Sequence, residues 1–147
     1  MKIYQKTGFS AAHRLLGYDG NCGRLHGHLW TVEVTIETCD NDLDECDMLL
    51  DYREIKKIIN EKFDHTTILN NKDPLIDAIR SCGCSVTEIS GNPTAENLAI
   101  VICESFMGIL GDQDFVEICI HESPENSACV NSEDLWDQYE AEDEEDL

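Results

Sequence analysis

Leu29-Trp-Thr-Val-Glu-Val-Thr-Ile-Glu37 alternates apolar and polar residues and is rich in β-branched types, the pattern of a strand with one buried face and one wet face. His28 opens this strand, and His26 stands two residues earlier with Gly27 between them. Residues two apart on a strand face the same way, so His26 and His28 can grip one ion from one face while Gly27 puts no side chain on the other. The earlier strand-like segment Gly8-Phe-Ser-Ala-Ala-His13-Arg-Leu carries small residues before its histidine and supplies a third ligand if it pairs antiparallel alongside. Structural zinc sites are closed by four ligands, usually rich in cysteine, whereas three histidines leave the fourth position to water or a substrate oxygen. The spacing therefore predicts a catalytic metal centre at His13, His26 and His28, with Zn2+ as its cofactor.

The remaining sequence bounds the setting of that centre. A chain of 147 residues without internal repeats fits one domain with a substantial core. Its formal net charge of −21 excludes nucleic acid as a partner, because a phosphate backbone needs a basic face. There is no apolar leader and no apolar run of bilayer length, so a cytoplasmic protein with no membrane partner is expected. The eight cysteines are expected to be reduced. Cys103, in an amphipathic stretch, and Cys119, in an apolar strand, read as small buried hydrophobes. Cys82-Gly-Cys84 with Cys39 and Cys46 lacks the regularly spaced partner pair of a structural zinc site. From residue 133 the chain is strongly acidic, so residues 1–132 are expected to form the domain. Residues 133–147 should run from a last docked turn at Trp136 into a disordered, solvating tail.

Between these ends the pattern predicts few regular elements. Ile55, Ile58, Ile59 and Phe63 recur at helical spacing over residues 52–63, and Asp51 is placed as the N-cap. A second helix starts after Thr94, with Asn97 at the capping-box distance, and continues through Leu98 and Phe106 toward Gly108 or Gly111. Residues 115–122 form a third long strand and residues 128–131 a short fourth. A short helix at 75–80 and a short strand at 85–89 lie in a segment, 73–90, to which we assign no function. The expected architecture is α+β, an antiparallel four-stranded sheet with two helices on one face.

Several segments, in this order, carry a family resemblance: Phe9-Ser-Ala-Ala-His13, Cys22-Gly-Arg-Leu-His26-Gly-His28, Leu50-Asp-Tyr52, Phe63-Asp-His65, Asn92-Pro-Thr-Ala-Glu96 and Ile120-His-Glu-Ser-Pro124. The chain resembles the zinc-dependent 6-pyruvoyl- and 6-carboxy-tetrahydropterin synthase family over roughly residues 3 to 131. The resemblance implies the tunnelling fold, in which sheets join around a threefold axis and two trimers stack as a homohexamer with pockets between subunits. It implies a lyase acting on 7,8-dihydroneopterin triphosphate. The three residues between Cys22 and His26 resemble the carboxy-forming enzymes of 7-deazaguanine (queuosine-type) biosynthesis, which form 6-carboxy-5,6,7,8-tetrahydropterin with acetaldehyde and triphosphate. The alternatives are a pyruvoyl-forming synthase and a non-catalytic zinc- or pterin-binding protein on the same scaffold.

The same resemblance implies roles for particular residues. Cys22 is the matching position for the catalytic base, and a nearby divalent cation favours its thiolate form. Asp64 and His65 form an acid/base pair, although adjacent residues rarely face each other, so the pair is expected to act through backbone geometry or across subunits. Glu122 matches the pterin anchor, since a carboxylate accepts two adjacent N–H donors of an aminopyrimidine edge. Thr94 is a second ring-edge contact or simply a helix cap, and Glu96 reads as structural. His121 should point away from Glu122 by strand alternation and is not a ligand. Arg14, Arg24, Lys56 and Lys57 are candidates for holding the triphosphate.

Overall fold

The structure, a computed structural model, describes residues 1–40, 43–111 and 114–145, with side chains as far as Tyr139. The alternation that opens the sequence reading sets the layers. Trp30, Val32, Val34 and Ile36 of β2 (His26–Glu37) are buried, and so are Phe9 and Ala11 of β1 (Lys2–His13), which runs antiparallel beside it. Val116, Ile118 and Ile120 of the strand Phe115–His121 extend this apolar face on the other side of β2.

Two helices cover it. α1 (Tyr52–Phe63) contributes Ile55, Ile59 and Phe63, and Asp51 caps it by accepting from the Arg53 N–H at 2.8 Å. The helix Ala95–Met107 contributes Leu98, Ala99, Ile102, Cys103 and Phe106 and ends at Gly108. Thr94 caps it by accepting from the Asn97 N–H at 3.3 Å, while the Asn97 side chain turns away to the Asn92 carbonyl, so the capping box is not reciprocated. Burial pushes the Cys103 thiol up to about 12, in keeping with its role as a small core residue.

The sheet is larger than the sequence reading expects, and it is mixed. Among the described residues it has six strands, so the antiparallel four-stranded sheet is corrected. β3 (Thr66–Asn70) lies outside the elements expected from the sequence; α1 carries the chain back so that β3 enters parallel to β1, pairing Ala11 with Thr66 and His13 with Ile68. A short helix, α2 (Leu75–Ser81), then returns the chain to β4 (Val86–Ile89), parallel to β3. With the later elements numbered α3 (Ala95–Met107), β5 (Phe115–His121) and β6 (Ser127–Asn131), the strand order is β4-β3-β1-β2-β5-β6. Helical crossovers are what make the two added pairings parallel.

Two further corrections concern the C-terminal part. Cys119 and Cys129 stand opposite each other across β5 and β6 and form a disulfide, against the expectation of reduced cysteines. Their ten-residue separation becomes a cross-strand pair only once the hairpin register is set. The acidic segment expected to be a disordered tail instead forms α4 (Ser132–Glu145). Leu135 is buried against the core and Tyr139, four residues on, packs beside it and bonds Glu104 of α3, while Trp136 faces solvent. Ser132 fixes the start of α4 by accepting from the Val116 N–H at 3.0 Å. Residues 146 and 147 of the expected tail lie outside the described residues. Among the described residues no helix is long and apolar enough to cross a membrane.

Candidate metal centre

The strand register delivers the histidines to one place. His13 ends β1 directly opposite His26, and Ala11 stands opposite His28, so the three rings gather at one end of the β1–β2 ladder on the helix-covered face. His28 is not the first residue of its strand; pairing begins at His26 because β1 continues to His13. Each of two rings is fixed by a backbone carbonyl. The Nδ1 of His13 bonds to the Pro93 carbonyl at 2.7 Å, and the Nδ1 of His26 bonds to the Arg24 carbonyl, also at 2.7 Å. A carbonyl accepts only, so these contacts assign Nδ1–H tautomers and leave both Nε2 atoms as lone pairs. Burial, with the neighbouring imidazoles adding to it, lowers the pKa of His13 and keeps that ring neutral.

The arrangement is one that a cation satisfies. The Nε2 atoms of His13 and His26 lie 3.1 Å apart, lone pair toward lone pair, and the Nε2 of His28 is buried without a hydrogen-bond partner. Glu122 sends Oε1 to within 3.5 Å of His13 Nε2 and 3.6 Å of His28 Nε2. Donor atoms of all four residues fall within 4.8 Å of one another. Ligands about 2.1 Å from a tetrahedral ion are about 3.4 Å from each other, close to these three separations. Trp30 stands edge-on to His13 and His28 and gives the site an apolar floor.

Loops behind the ladder hold Cys22 and the carbonyl acceptors. Asn92 pairs with the backbone of Leu16, accepting its N–H at 2.8 Å and donating to its carbonyl at 3.0 Å. This ties the segment bearing Pro93 and Thr94 to the loop after β1, where the Leu15 N–H bonds the Cys22 carbonyl at 2.9 Å. Cys22 lies in a short 3-10 turn, Asn21–Gly23, and lines a cleft of about 490 Å³ with Thr94, Glu96 and Glu122. Arg14 pairs through two nitrogens with the buried carboxylate of Asp73, whose pKa is held below the usual carboxylate range chiefly by that guanidinium. Arg14 is thereby engaged through Nε and one terminal nitrogen, and segment 73–90 acquires a supporting role.

Asp64 and His65 meet each other, contrary to the expectation for adjacent residues. His65 adopts φ 57°, in the left-handed region, and this turns its Nδ1 back to 3.0 Å from Asp64 Oδ1. Both are clamped to β1, since Asp64 Oδ1 accepts from the Ser10 N–H at 2.9 Å and the His65 N–H donates to the Ser10 carbonyl at 2.7 Å. The Ser10 N–H first, and His65 second, hold the Asp64 carboxyl below its ordinary range. The pair does not reach the Cys22 cleft. The His65 side chain is 83% exposed and lines a separate cleft of about 360 Å³ with Ser10, Gly27 and His28.

His121 points to the opposite face as expected, with its Nε2 3.3 Å from Glu33. Glu33 also binds Lys6 at 3.0 Å, and Lys6, His28, His121 and Glu122 line a cleft of about 730 Å³. Lys6 and Asp73 do not stand out in the sequence, and Asn92 does so only as part of the Asn92–Glu96 motif. The approach of Glu122 to the imidazoles does not stand out either, although the alternation that sends His121 outward also sends Glu122 inward. Cys39, Cys46, Cys82 and Cys84 are exposed, and the metal-competent cluster found among the described residues is the His–Glu one.

Comparison with known proteins gives a consistent picture. Residues 2–133 match the family model described as 6-pyruvoyl tetrahydropterin synthase. A Rickettsia bellii protein named 6-carboxy-5,6,7,8-tetrahydropterin synthase is 37% identical over 106 residues, covering 68% of this chain and 75% of that protein. A Rickettsia conorii protein of the same name is 32% identical over 133 residues, covering 84% and 95%. The solved structure of a Plasmodium vivax 6-pyruvoyltetrahydropterin synthase superposes with a TM-score of 0.65 over 89% of this chain and 96% of that one; at 16% identity the likeness concerns the fold alone.

Proposed function

This chain belongs to the 6-pyruvoyl tetrahydropterin synthase family, and from that premise we propose that it is a zinc-dependent 6-carboxy-5,6,7,8-tetrahydropterin synthase acting on 7,8-dihydroneopterin triphosphate. The observation that carries the reading is the convergence of three imidazoles on Glu122, which also lines one cleft with Cys22 and Thr94. A non-catalytic binder of metal or pterin needs neither the thiol nor the Asp64–His65 pair. The orphaned His28 Nε2 and the all-nitrogen and oxygen donor set suit Zn2+ held by His13, His26 and His28. When bound, the ion polarises the side-chain oxygens of the substrate and makes the adjacent C–H bonds more acidic, with no redox role.

The residues of the chain do the rest. Glu122 accepts the paired N–H donors of the aminopyrimidine edge, which fixes the ring and places its side chain toward Cys22. Thr94 keeps a hydroxyl hydrogen for the ring edge while its oxygen caps α3. Cys22 takes a side-chain proton, and His65, oriented by Asp64, returns one to a substrate oxygen. For His65 to reach that oxygen a second copy of the chain must present it, because in one chain it opens onto another cleft. The edge strands β4 and β6 support such an assembly, since each leaves a row of backbone groups for another sheet to pair. We therefore read the working form as a homohexamer of two stacked trimers.

Anaerobic incubation with 7,8-dihydroneopterin triphosphate, followed by mass spectrometry, tests the activity. The expected products are 6-carboxy-5,6,7,8-tetrahydropterin, acetaldehyde and triphosphate. 6-Pyruvoyl-tetrahydropterin as the product, or unchanged substrate with zinc-loaded protein, overturns the reading.

A further inference from the structure

Glu122 is given one task above, recognition of the ring, yet its carboxylate faces the imidazoles. Oε1 approaches His13 and His28 at 3.5 and 3.6 Å, too long for hydrogen bonds and close to the separation of two ligands on one tetrahedral ion. His28 Nε2 is buried and has no hydrogen-bond partner to explain its orientation. Glu122 is also positioned to move. It follows the last residue of β5, is 28% exposed, and forms part of the wall of both the Cys22 cleft and the larger cleft containing Lys6. Its backbone is held by Asn126, so a side-chain rotation leaves the strand end in place.

We propose that Glu122 is a two-position carboxylate. Without substrate it is the fourth ligand of the metal, closing the position that His13, His26 and His28 leave open. An aminopyrimidine ring, with its adjacent N–H donors, draws the carboxylate away and so opens that position to the substrate's own oxygen. The resting centre is thereby protected from adventitious anions, and the ring that recruits Glu122 becomes the signal that opens the site. The second position rests on the function proposed above; the first does not.

The test uses the full-length protein loaded with Co2+, with azide as the probe and the visible d–d bands as the readout. If Glu122 occupies the fourth position nearly all the time, apparent azide affinity in the native protein is reduced about tenfold or more by the small open fraction. Both Glu122→Gln, which removes the charge, and Glu122→Asp, which keeps the charge but shortens the reach, should tighten azide binding by that factor and alter the bands. Equal azide affinity in all three proteins overturns the proposal. So does tightening in Glu122→Gln alone, because the carboxylate then acts by charge and not as a ligand. Adding 7,8-dihydropterin, which has the aminopyrimidine edge but no side-chain oxygen to fill the opened position, to the native protein should raise azide affinity toward that of the variants. If it binds without doing so, the two-position mechanism is overturned; if it does not bind at all while both variants tighten azide, the fourth ligand stands and the ring-recognition role of Glu122 fails.

Discussion

His26 and His65 are both imidazoles attached to β1, one across its antiparallel partner and one across the turn into its parallel partner, yet they are held in opposite ways. His26 has its Nδ1 tied to the Arg24 carbonyl and its Nε2 aimed at His13, within a group whose members fix one another. The His65 ring meets Asp64 through Nδ1, and the side chain is otherwise largely exposed. A metal site needs several donors held at once, and the β1–β2 ladder, the Asn92 strap and the Arg14–Asp73 pair supply that within a single chain. An acid/base group needs only correct orientation and access to substrate, and the Asp64–His65 turn supplies the first and leaves the second to whatever docks beside it. The metal-competent donors thus meet within a single chain, whereas His65 and Cys22 line different clefts of it.

The most drastic way to break this comparison is at the self-sufficient end. His28→Ala removes a ligand from a preorganised set, so metal analysis should find zinc lost while circular dichroism finds the fold retained; full zinc occupancy in that variant would mean the centre is misplaced. Cys22→Ala comes next. It should keep zinc and lose turnover by roughly 10²–10⁴-fold, the range for removing a general acid or base. Undiminished product formation would pass the proton role to His65.

A smaller effect sharpens the support beneath His13. The Asp73 carboxylate is fully buried and Arg14 is 24% exposed, so Asp73→Asn should cost about 2 kcal/mol at neutral pH, less than a fully buried pair. The folded-state pKa of Asp73 is depressed, so its stabilisation is present above the unfolded value of about 3.9 and is lost as pH falls through the lower folded value. Denaturant unfolding should therefore separate the two proteins at neutral pH and bring them together in acid. A gap that persists unchanged into acid would assign the effect to packing.

Much of this was legible from particular residues. The alternation after His28 placed β2 and its buried face, and the two-apart histidines with His13 named the centre, because strand periodicity fixes direction without any knowledge of the rest of the chain. Asp51 and Thr94 were legible as caps for the same local reason. What escaped depended on register and crossover. Thr66–Asn70 is a five-residue run whose pairing with β1 is decided by α1, and Cys119 meets Cys129 only through the β5–β6 register. The Asp64–His65 contact depends on one left-handed residue, and non-glycine residues seldom adopt that conformation. α4 was hidden by its charge: Leu135 and Tyr139 are enough to dock it although acidic residues surround them.

The central claim, that one chain supplies the metal and Cys22 while another supplies His65, is tested most directly by complementation. Cys22→Ala and His65→Ala are each purified inactive, then unfolded together, refolded with zinc and assayed. If each site takes the two residues from different copies, random mixing restores both to about a quarter of the sites, and activity should recover to about that fraction of the native value. A mixture as inactive as its components, with normal hexamer mass and zinc content, would place both residues in one chain's site and contradict the division.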